Sequence, residues 1–116
     1  MPQVNWTQKH CKPCEGGVES IDRSDAEVFL NDLPEWTLAS DADAIFRKII
    51  GDDFVDVVTM VNRIADLAEA ESHHPDLHLT GYRHLKIVLT THAIDGLSEN
   101  DFIVAAKLDA LLSNRD

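Results

Sequence analysis

Five of the six histidines fall between positions 73 and 92: His73, His74, His78, His84 and His92. Imidazole titrates near neutral pH, so a cluster of such rings can take up and release protons under ordinary conditions. Imidazole is also a ligand for zinc and iron, and a metal site is the competing chemistry. Against it, the chain has no His-Glu-x-x-His sequence, and no two-histidine, one-carboxylate triad stands out. A lone histidine is usually a surface or hydrogen-bonded residue, and His10, His78 and His84 are read that way. The working set narrows to His73, His74 and His92. Glu69 stands four residues before His73, so on a helix it could share that face. The plainer reading of Glu69 is a solvated helix carboxylate.

These residues need elements to bring them together. Phe54, Val57, Val58, Val61, Ile64, Ala65 and Ala68 recur at three- and four-residue spacing, which predicts a helix from about Phe54 to Glu71 with Asp53 as its cap. Pro75 biases His74 toward an extended conformation, so the helix ends at the His73-His74 pair. The helix dipole at that end favours a protonated ring. Leu77 to Thr80 reads as a strand, and Leu85, Ile87 and Leu89 alternate with Lys86, Val88 and Thr90 in another. If the turn between them centres near Tyr82, His92 lies across from the Ser72–His73 region, and two distant segments meet at one end of a sheet.

The rest of the chain supplies the frame. Ser24 and Glu27 form a capping box for a first helix from about Asp25 to Asn31, ended by Pro34. Trp36 to Ala39 and Ala44 to Ile50 read as strands joined by a polar turn. Asp95-Gly96 breaks the fourth strand, and Ser98 and Asp101 signal a last helix carrying Phe102, Ala105, Leu108, Leu111 and Leu112. Asp101 is read as capping or orienting that helix, and Tyr82 and Trp36 as packing residues. The order α-β-β-α-β-β-α predicts an α+β fold of one domain: a four-stranded antiparallel sheet with three helices packed on one face. Residues 1–23 form an irregular lead-in holding the Cys-x-x-Cys pair Cys11 and Cys14, and residues 24–116 form the domain. One such pair is half of a usual zinc set and no disulfide framework.

Composition narrows the functions. The 116 residues suit a single compact domain, and 44% hydrophobic with 27% charged residues is a globular mix. A net charge of −11 opposes phosphate backbones and anionic lipid. No apolar run approaches a membrane span, and residues 1–10 lack the apolar stretch of a secretory signal, so a cytoplasmic protein is expected.

Glu69, His73-His74-Pro75, Tyr82, His92 and Asp101 together resemble the motif of the pterin-4a-carbinolamine dehydratase family, whose eukaryotic members double as dimerisation cofactors of a homeodomain transcription factor. The segments Asp43-Ala44-Ile45-Phe46, Asp53-Phe54, Thr90-Thr91-His92 and Gly96-Leu97-Ser98-Glu99 are also similar to it. The resemblance runs from about Ser24 to the C-terminus. Departures are Ser72, where many relatives carry Asp or Asn, Leu77, where an aromatic often sits, and Glu35-Trp36 in place of a frequent Gly-Trp.

The resemblance implies elimination of water from the 4a-carbon of a 4a-hydroxytetrahydropterin, giving quinonoid dihydropterin and recycling tetrahydrobiopterin. Such a hydro-lyase step needs a base for a ring N–H proton and an acid for the departing hydroxide. It involves no redox change, so neither cofactor nor metal is implied. By resemblance, His73 and His92 are the acid–base candidates and His74 holds the substrate. Groups in His73, His74, Pro75, Thr91, His92, Ala93 and Ile94 would line the pterin, with Glu69 and Asp101 in support. A homodimer or homotetramer is implied as well. Two other readings stay open: a transcription-cofactor type of dimerisation protein, for which nothing in the sequence identifies a transcription partner, and a histidine metalloprotein.

Overall fold

A computed structural model of the chain describes residues 6–9, 11 and 19–113. The first helix, α1, spans Arg23–Leu30 and begins earlier than the Ser24 capping box predicts. Its cap is Asp22, whose carboxylate accepts the Asp25 N–H at 2.9 Å. Strands β1 (Thr37–Leu38) and β2 (Ile45–Ile50) form the expected hairpin. β1 is shorter than expected because the Trp36 N–H is engaged in a turn, donating to the Leu33 carbonyl at 3.0 Å, while its buried ring donates through Nε1 to Asp109.

Helix α2 spans Phe54–Glu71, as the apolar spacing predicts, with the Asp53 carboxylate accepting the Asp56 N–H at 2.8 Å. The buried stripe is rotated from the predicted one. Val57, Met60, Ile64 and Ala68 face inward, whereas Phe54 is 52% exposed. Strands β3 (Asp76–Thr80) and β4 (His84–Leu89) follow, then a 3₁₀ turn at His92–Ile94 and helix α3 at Glu99–Ser113. The sheet is antiparallel in the order β1-β2-β4-β3. Thr80 pairs with His84, so the β3–β4 turn does centre on Tyr82. Tyr82 is no packing residue, however: it takes a positive φ of 56° and is 61% exposed.

One face of the sheet buries Ile45, Leu85, Ile87 and Leu89 against the helices. On that face Arg47 of β2 reaches Asp109 of α3 at 2.5 Å. Helix α3 is buried over most of its circumference from Asn100 to Ala106, which explains why its apolar residues show no clean stripe. Part of its cover is the 3₁₀ turn Trp6–Gln8. Trp6 packs its ring against Phe29 and Phe102 at centroid distances of 5.1 and 5.8 Å. Among the described residues no helix is long and apolar enough to cross a membrane.

Candidate functional site

The site begins with how α2 stops. Ser72 adopts a left-handed conformation (φ 54°, ψ 36°). Its N–H donates to the Glu69 carbonyl at 3.3 Å, and the His73 N–H donates to the Ala68 carbonyl at 3.2 Å. This pair of bonds satisfies carbonyls the helix would leave open and swings the chain off the helix axis. The stop is therefore set at Ser72, before Pro75. The proline keeps the next residues extended as they enter β3 at Asp76.

The swing separates the two neighbouring histidines. His73 is 5% exposed, and its Nε2 lies 2.6 Å from Oδ1 of the fully buried Asp101. His74 points to the surface and pairs with Glu69. The Glu69 carboxylate thus serves His74 rather than His73, because His73 has already left the helical face that a four-residue spacing assumes.

The other half comes from the end of β4. The Thr90 hydroxyl donates to the Asp43 carbonyl at 2.6 Å, fastening this segment to the β1–β2 turn. Thr91 and Gly96 exchange backbone hydrogen bonds of 2.8 and 3.3 Å, closing a short loop that presents His92 and Ala93 to solvent with Ile94 half-buried. Thr91 is fully buried, and its hydroxyl donates to Oδ2 of Asp101 at 2.8 Å. That oxygen also accepts the Ser98 N–H at 3.0 Å, at the start of α3. Since the Thr91 proton goes to Asp101, the Ser98 hydroxyl donates to Thr91 across their 2.7 Å contact.

Asp101 therefore gathers three chain segments on one carboxylate: the exit of α2 through His73, the exit of β4 through Thr91, and the entry of α3 through Ser98. Carboxylate oxygens accept from the Thr91 hydroxyl and the Ser98 amide, and an Nε2–H tautomer of His73 would make it the third donor. With an Nε2–H directed at Asp101, the lone pair of a neutral His73 ring is on Nδ1. The sequence points to Asp101 and Ser98 as helix signals; their link to His73 and Thr91 joins residues too far apart in sequence to leave a periodic trace.

The N-terminal segment is fastened beside this hub. Glu71 accepts the Cys11 N–H at 3.0 Å and the Lys107 ammonium at 2.7 Å. Burial alone would raise the Glu71 carboxyl; the hydrogen bonds from Lys107 and the Cys11 amide outweigh it and hold the group down to about 2. Burial, aided by the Glu71 charge, pushes the Cys11 thiol up to about 12. A protonated thiol is a poor metal ligand and nucleophile. Cys14 and His10 lie outside the described residues. His78 and His84 are exposed on the helix-free face of the sheet. Among the described residues, no group of three or more His, Cys, Asp or Glu side chains is placed to hold a metal ion.

The family described as pterin 4 alpha carbinolamine dehydratase matches residues 19–111. A protein of Halorhodospira halophila, provisionally named a pterin-4-alpha-carbinolamine dehydratase, is 50% identical over 108 residues, covering 93% of this chain and 98% of that one. The Arabidopsis thaliana protein named pterin-4-alpha-carbinolamine dehydratase 2, mitochondrial, is 42% identical over 93% of this chain and 59% of its own length. Among solved structures, the transcriptional coactivator/pterin dehydratase from Brucella melitensis superposes with a TM-score of 0.74 at 27% identity, over 80% of this chain and 98% of that one.

Proposed function

The chain belongs to the pterin-4-alpha-carbinolamine dehydratase family, and from that premise we propose that it eliminates water from a 4a-hydroxytetrahydropterin by histidine acid–base catalysis without a metal. The observation that carries this reading is the single carboxylate of Asp101, which ties His73 and Thr91, the neighbour of His92, to one point. In the reaction a base removes the proton from the pterin ring nitrogen next to C4a. The electron pair left behind forms the N=C4a double bond as the C4a–O bond breaks. An acid protonates the departing oxygen, so water and quinonoid dihydropterin are the products. Electrons are neither gained nor lost, and two proton carriers meet the whole chemical demand.

His73 and His92 are the proton carriers in this scheme, and His74, braced by Glu69, orients the pterin. Pro75, Ala93 and Ile94 line the ring. Thr91 is buried with its hydroxyl and backbone engaged, so it positions the loop rather than touching substrate. The physiological role that follows is recycling of a tetrahydropterin cofactor in the cytoplasm by a homodimer or homotetramer.

The test is stopped-flow dehydration of a pterin carbinolamine by wild type and by His73→Ala, His74→Ala and His92→Ala, each with and without a chelator. Loss of a positioned acid or base is expected to slow turnover roughly 10²–10⁴-fold for His73 and His92. His74→Ala should act mainly on KM, and the chelator should have no effect. Wild-type turnover in both the His73 and His92 variants, with the fold intact by circular dichroism, would reject the assignment. The name of the Brucella melitensis protein pairs dehydratase with coactivator. A partner-binding role is accordingly the second reading, favoured if a regulator co-purifies with a chain that has no dehydratase activity.

A further inference from the structure

The sheet face turned away from the helices carries a cluster the histidine site does not use. Side chains alternate along strands, so residues 46, 48 and 50 of β2, 84, 86 and 88 of β4, and 76, 78 and 80 of β3 share this face. The register sets Lys48 opposite Lys86 and Lys86 opposite His78, a row of basic side chains across three strands. The next row is Ile50, His84 and Thr80. A cavity of about 490 Å³ opens over these two rows, lined by Lys48, Ile50, His78, Thr80, His84 and Lys86. That volume lies within the ~300–1,000 Å³ typical of small-molecule sites.

The charge pattern is costly unless something answers it. Like charges directly opposite each other on a sheet are destabilising. The chain has 10 Lys and Arg against 21 Asp and Glu, yet it places two lysines side by side here. Among the described residues neither lysine has a carboxylate within salt-bridge distance. Their ammonium groups converge instead on Phe46, 5.8 and 4.7 Å from its ring centroid. Asp76, the acidic residue of this face, sits opposite Val88 in the row beyond and does not line the cavity. Ile50 adds an apolar wall that is 60% exposed. Lys86 precedes Thr91 by five residues, and extended chain rises about 3.3 Å per residue, so this cleft lies apart from the histidine loop.

We propose that this cleft is a binding site for a small phosphate-bearing molecule. The phosphate dianion bridges the Lys48 and Lys86 ammonium groups, His78 and Thr80 donate hydrogen bonds to it, and the ligand's apolar portion rests on Ile50. Two cations side by side on the sheet attract a dianion more strongly than a monoanion by Coulomb's law. The cavity's size suits a small molecule rather than a length of acidic chain.

The test is a titration of the full chain with phenyl phosphate at low salt, followed by amide NMR shifts and calorimetry. Phenyl sulfate, with the same ring and one charge fewer, is the control. Saturable shifts centred on residues 46–50, 78–80 and 84–86 are expected, with phenyl sulfate weaker. The double variant Lys48→Gln/Lys86→Gln should lose at least about tenfold in affinity, while Lys48→Arg/Lys86→Arg retains binding. Pterin dehydration by the glutamine variant should equal that of wild type, which separates this site from the histidine chemistry. The proposal is overturned by any of four results: no saturable shifts; equal affinity in the glutamine variant; shifts centred on residues 73–75 and 91–94; or a site that takes a polyglutamate peptide and ignores phenyl phosphate.

Discussion

Replacing Asp101 with asparagine tests the link between the buried hub and proton transfer. The carboxylate accepts from His73 at 2.6 Å, Thr91 at 2.8 Å and Ser98 at 3.0 Å. Asparagine keeps its shape and one acceptor oxygen. That oxygen can stay with the Thr91 hydroxyl and the Ser98 amide, which both use Oδ2. The NH₂ then faces Nε2 of His73, and two donors oppose each other. The neutral ring escapes by moving its proton to Nδ1, which makes Nε2 the acceptor. Stability should fall by about 1.5–3 kcal/mol, the worth of a hydrogen bond to a charged group. Turnover should fall further, roughly 10²–10⁴-fold, because the nitrogen that accepted a proton now carries one. Stopped-flow dehydration gives the rate, urea midpoints give the stability, and ¹⁵N imidazole shifts of His73 report the tautomer, which a merely structural role would leave unmoved. A folded Asp101→Asn protein with the switched tautomer and a wild-type rate would refute the reasoning, for His73 would then be shown not to move the proton.

Glu71 is held near 2 in the folded chain against an ordinary 4.5, so its contribution is complete above about 4.5 and is lost as pH falls toward 2. Urea midpoints measured across that range should show the loss in wild type, and Glu71→Gln should flatten that part of the profile. Ser72 holds a left-handed φ of 54°, which costs a residue with a Cβ about 1–2 kcal/mol. Ser72→Gly should therefore raise the melting temperature, and calorimetry showing a lower one would contradict the account of how α2 ends.

The sequence made the long-range frame legible where a period or a turn recorded it. The spacing from Phe54 to Ala68 marks α2, and alternation from Leu85 to Leu89 marks β4. The turn at Tyr82 then fixes which ends of the sheet meet. What it left open has physical causes. Apolar residues flank the α2 stripe on both sides, so its rotation is decided by what α3 covers, and Phe54 ends up outside. The Ser24 and Asp22 caps compete within one turn, and only the geometry selects Asp22. Trp6 belongs to a three-residue turn too short to show any period, although it is 4% exposed in the core. The histidines were visible as a cluster, but the carboxylate that holds one of them was visible only as a helix-start signal. Hydrogen bonds between positions 73, 91, 98 and 101 connect different elements, and spacing within an element does not encode them.

A structural reading of the hub has to explain its cost. Burying an imidazole and a carboxylate removes both from water, and a well-packed apolar pair of similar volume stabilises a domain as well or better. The joining of three segments does not require the histidine either: the Thr91 hydroxyl and the Ser98 amide already tie Asp101 to the end of β4 and the start of α3. A leucine at position 73 alone would leave Oδ1 of the buried Asp101 without its donor, so the apolar alternative requires both residues to be replaced together. What the apolar solution would lack is a ring of fixed tautomer, held beside a surface loop that carries a second imidazole. The pair at 73 and 101 is costly as architecture, and the proton-transfer role proposed for His73 would account for that cost.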